Sequence, residues 1–98
     1  MKKMYALNYT NNGNGLDSRP YGSTIAVSTD IEKLRAEMQK CLESDCMETD
    51  EDFEGDEYAH NFQIYQEYYD GDNVEVKLES KLDIELTATY LIHEVKVL

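Results

Sequence analysis

The chain has 98 residues, enough for one domain around one modest core. With 21 Asp and Glu against 9 Lys and Arg, its formal net charge is −12. That balance argues against a general nucleic-acid binder and against docking on anionic lipid, since both need clustered cations.

No apolar run approaches the ~20 residues of a membrane-crossing helix. The opening residues, Met1 to Asn8, lack the apolar stretch of a secretion signal, so a cytoplasmic protein is expected. The only two cysteines, Cys41 and Cys46, fit that compartment as free thiols. Their spacing is loose for zinc, and the two histidines, His60 and His93, lie far along the chain.

Met4–Tyr9 alternates and is rich in β-forming residues, which predicts a first strand. The Asn- and Gly-rich segment from Thr10 to Gly15 then reads as a loop, continuing through Arg19-Pro20. Thr24–Ser28 predicts a second strand, the hairpin partner of the first. Thr29-Asp30-Ile31-Glu32 reads as a capping box, with Thr29 as the cap. A helix over about Asp30–Glu43 follows, with Ile31, Leu34, Met38, Cys41 and Leu42 on one apolar face.

From Glu43 to Glu57 there are nine acids and no base, so three quarters of the net charge sits in that run. Only Cys46, Met47 and Phe53 are apolar there. Like charges repel, so a long acidic surface loop is expected at about 43–60. Phe62–Tyr69 is aromatic and β-branched, which favours a strand. A helix over 57–69 stays open, because Tyr58, Phe62, Tyr65 and Tyr69 also fall at helical spacing.

Asp70-Gly71-Asp72-Asn73 is a hairpin signal, and Val74–Glu79 alternates as a strand. Ser80–Asp83 can turn the chain. Ile84, Leu86, Ala88, Tyr90 and Ile92 share one face of a last strand. Its other face becomes apolar from Leu91, which implies a bulge or a strand end buried on both sides. The expected fold is α+β: an antiparallel sheet of about five strands in ββαβββ order, with one amphipathic helix on one face.

The residues offer little to catalysis. His93 reads as a strand packing residue. His60 with Cys46 would form a thiol–imidazole pair only if a loop held both rigidly. Abundant carboxylates are not a walled acid–base pair, so the chain is read as a non-enzyme without a cofactor. Asp50, Asp52, Glu54 and Asp56 partly fit a calcium loop, with Gly55 at the sharp turn, but Asn61 stands where the bidentate Glu belongs. That pattern supports weak divalent-cation binding.

The remaining feature is a set of tyrosines directly after the acidic run. Tyr brings apolar area and a hydroxyl at low entropy cost, and carboxylates steer basic partners. The expected surface is therefore Asp50, Asp52, Glu54, Asp56 and Glu57 with Tyr65, Tyr68 and Tyr69. It would bind a basic protein surface and take the positions that nucleic-acid phosphates would otherwise fill. In size and charge alone the chain is like small phage and mobile-element inhibitors of nucleases. Two other classes stay open: an accessory domain that self-associates as a homodimer, and a calcium-dependent regulator using the Asp50–Asn61 loop.

Overall fold

A computed structural model describes residues 3–12, 21–47, 61–81 and 86–96. The elements run β1 (Met4–Asn11), β2 (Tyr21–Ser28), α1 (Ile31–Asp45), β3 (Phe62–Asp70), β4 (Asn73–Ser80) and β5 (Thr87–Val95). This is the α+β architecture expected, with the ββαβββ order. The strands form one five-stranded antiparallel sheet in the order β2-β1-β5-β4-β3. Two hairpins, β1–β2 and β3–β4, are joined through β5 in the middle.

The alternation of β4 and β5 sends Val74, Val76, Leu78, Ala88, Tyr90 and Ile92 to one face of the sheet. Tyr5 and Leu7 of β1 fall on the same face by register. Leu34, Met38 and Leu42, one turn apart along α1, complete this core, and the helix packs chiefly on β1, β2 and β5. The opposite face is polar over much of its area, with Asn8, Thr89, Glu75, Lys77 and Gln66 in register across it.

Three local expectations change. The helix cap is Asp30 rather than Thr29: its backbone is extended, and its carboxylate accepts from the Glu32 N–H at 3.0 Å. The capping position thus falls one residue later, and the Ser28 hydroxyl accepts from the Asp30 N–H at 3.0 Å. The helix also runs to Asp45, so the first three residues of the acidic run are helical rather than loop. The Tyr90 hydroxyl donates to Asp45 and ties that last turn to β5.

Nor does β5 carry the bulge that its change of phase suggested. Its registers with β1 and β4 are unbroken. Ile92 is buried on the core face, while Leu91, His93 and Val95 are half-buried on the other, so the strand end is simply covered on both sides. The bulges lie instead in the two edge strands, at Ile25 of β2 and Tyr65 of β3, the residues that each register skips.

Candidate partner-binding edge

Residues 62–70 form a strand, which settles strand against helix for that stretch; 57–60 lie outside the described residues. The Tyr65 bulge explains why the sequence read both ways. Before it, Phe62 and Ile64 pair with Ser80 and Leu78 on the helix side of the sheet. After it, Glu67 and Tyr69 take that side, paired with Val76 and Val74, and Gln66 and Tyr68 move to the other. One extra residue shifts a period-2 pattern by one, so aromatics recur at three- and four-residue spacing without a helix.

β3 lies at the edge of the sheet, and every residue after Phe62 is exposed. Tyr65, Tyr68 and Tyr69 keep 50%, 57% and 60% of their surface open to solvent, and Ile64 keeps 43%. The structure thus brings the three sequence-identified tyrosines onto one strand. The Tyr69 hydroxyl donates to Glu67 at 3.4 Å, while Tyr68 stands on the opposite face.

The five acids named with them, Asp50, Asp52, Glu54, Asp56 and Glu57, lie outside the described residues, and with them the calcium-loop carboxylates. What is described is the junction on either side of that segment. The Asn61 N–H donates to the Met47 carbonyl at 3.0 Å, and the Asn61 carbonyl accepts from the Lys81 N–H at 2.8 Å. Asn61 is buried with φ +65°, a left-handed conformation that Asn tolerates better than most residues. The chain therefore leaves the end of α1 and re-enters at the start of β3 through one hydrogen bond. The described residues that flank the segment, Met47 and Asn61, thus meet at the start of β3.

Charge along the edge has one sign. β3 carries Glu67 and Asp70, the turn carries Asp72, and β4 carries Glu75 and Glu79. Lys77 is the only base on either strand, and it pairs with Glu75 at 3.4 Å.

Other chemistry-bearing groups are engaged within the fold. His93 sits on the open sheet face; its Nδ1–H donates to the Glu94 carbonyl at 3.1 Å, and Nε2 accepts from the Asn8 amide at 2.6 Å. Asn8 Oδ1 accepts in turn from the Thr24 hydroxyl at 2.6 Å, so a polar chain crosses three strands. Burial is the main cause that raises the Cys41 and Cys46 thiols above their ordinary range, away from nucleophilic behaviour. A shallow recess of about 330 Å³ is lined, among the described residues, by Thr10, Asn11, Asn12, Thr87 and Thr89, none of them ionisable. Among the described residues no three His, Cys, Asp or Glu side chains gather as a metal site, and no helix is long and apolar enough to cross a membrane.

Sequence reasoning missed the Asn61 junction and the long-range tyrosine bonds. Tyr5 of β1 reaches across β5 to donate to Asp72 in the β3–β4 turn at 3.0 Å, 67 residues away in sequence. Only the Asn before a strand hinted at the junction; nothing local announces the tyrosine partners. No protein-family model, curated protein or solved structure matches the chain.

Proposed function

We propose that this chain is a small acidic protein-binding module that occupies a basic, nucleic-acid-binding surface of a partner. It acts by occupancy, as an inhibitor of the kind that phage and mobile elements carry against host defence. It acts without catalysis or a cofactor, in the cytoplasm. The observation that carries the reading is the β3 edge: a strand exposed on both faces, bearing three open tyrosines with Glu67 and Asp70, and no base of its own. Tyrosines supply buried area on contact, and carboxylates supply steering and complementarity to Lys and Arg. The reading also assigns steering to the five acids Asp50, Asp52, Glu54, Asp56 and Glu57, which precede β3 in the sequence.

A second reading, self-association, is favoured by the same edge, which no other described strand pairs, since an edge strand is a template for another strand. Capture from lysate separates the two. The tagged chain at low salt is expected to recover a basic protein that high salt releases. Recovery of nothing but its own dimer would replace the first reading with the second.

A further inference from the structure

The β3–β4 turn fixes which backbone groups of β3 face outward. Gly71 has φ +60° and Asp72 does not share a positive φ, the pattern of a two-residue type II′ hairpin. In such a hairpin the flanking pair, Asp70 and Asn73, exchanges both main-chain hydrogen bonds. Alternation then turns the N–H and C=O of Tyr68 and Gln66 toward β4, and those of Tyr69 and Glu67 away from it. Among the described residues nothing lies beyond β3 in the sheet. The Tyr65 bulge twists the strand on one side, and the hairpin closes it on the other, leaving Gln66–Asp70 as a regular, open ladder.

We infer that a basic partner binds by strand addition: an extended segment rich in Lys or Arg pairs with Gln66–Asp70 through the outward groups of Glu67 and Tyr69. This rests on the proposed function and specifies its mode. An added residue opposite Glu67 lies on the face that holds Glu67 and Tyr69, where a cation meets a carboxylate and an aromatic ring. On the other face it meets Tyr68 and Asp70. A second copy of the chain suits this edge less well, because it brings two acidic edges together on molecules of charge −12 each.

The test uses the full chain and two probe peptides: acetyl-Lys-Val-Lys-Val-Lys-Val-Lys-amide, and the same peptide N-methylated at every residue. The methylated form keeps every side chain and charge but loses its main-chain donors on both edges. With the first peptide, amide exchange at Glu67 and Tyr69 is expected to slow about tenfold or more. The methylated peptide is expected to bind about tenfold more weakly or worse, for want of two main-chain bonds. If both peptides bind equally, with no new protection at Glu67 and Tyr69, strand addition is overturned while docking by side chains stands. Absence of protection with either peptide at millimolar concentration overturns it as well. Protection that appears without peptide and grows with protein concentration assigns the edge to a second copy.

Discussion

The Tyr90 hydroxyl joins the sheet to the last turn of the helix, and its ring leans on Tyr9 with centroids 5.0 Å apart. Burial first, then the bond to Asp45, push this phenol well above its ordinary range; Tyr5 is raised too, chiefly by its bond to Asp72. The folded chain therefore holds the Tyr90 proton where the unfolded chain, ionising near 10.0, releases it. Stability from this group is complete below that pH and falls as pH rises past it, by at most about 1.4 kcal/mol per pH unit. Denaturant titrations between neutral and strongly alkaline pH are expected to show a shallower alkaline loss for Tyr90→Phe than for the wild type. An equal loss would detach the Tyr90–Asp45 bond from stability. The cap makes a second contrast at this scale: Asp30→Ala is expected to cost about 0.5–2 kcal/mol, and Thr29→Ala under about 0.5, read from the same titrations at neutral pH.

The helix shows how far an element can be read from its own residues. Its apolar stripe was legible because 3.6-residue spacing is local, and Leu34, Met38 and Leu42 are the residues it buries. Leu34→Ala and Met38→Ala are each expected to lower unfolding stability by about 2–5 kcal/mol, and the exposed Lys33→Ala by under about 0.5. Equal costs would put the wrong face against the sheet. β4 was legible for the same reason, through its strict alternation. β3 was legible only in part, because the bulge at Tyr65 is decided by its pairing with β4 rather than by its own sequence. The last turn of α1 was misread as loop: its acids argue against order locally, and the group that ties it to β5, Tyr90, is 45 residues away.

Across the whole molecule, the sequence marked two hairpins and a helix, but not that β5 would join them. Pairing of β1 with β5 brings together residues more than 75 positions apart, such as Asn11 and Ala88, and no local pattern specifies such a choice. That choice leaves β3 at the rim with its tyrosines open, so the candidate surface is a product of sheet order as much as of composition. Under the proposed function, the acids are expected to govern how a partner arrives, and the tyrosines how long it stays. The most direct measurement is of association and dissociation rates, against salt, between this chain and a basic partner captured by it. Changing Asp50, Asp52 and Glu54 to Asn, Asn and Gln is expected to slow association by about tenfold or more at low salt and to flatten its salt dependence. Tyr68→Ala is expected to speed dissociation by about tenfold, as loss of an aromatic anchor does, while leaving association nearly unchanged. Rates that neither variant alters, with association indifferent to salt, would contradict the account.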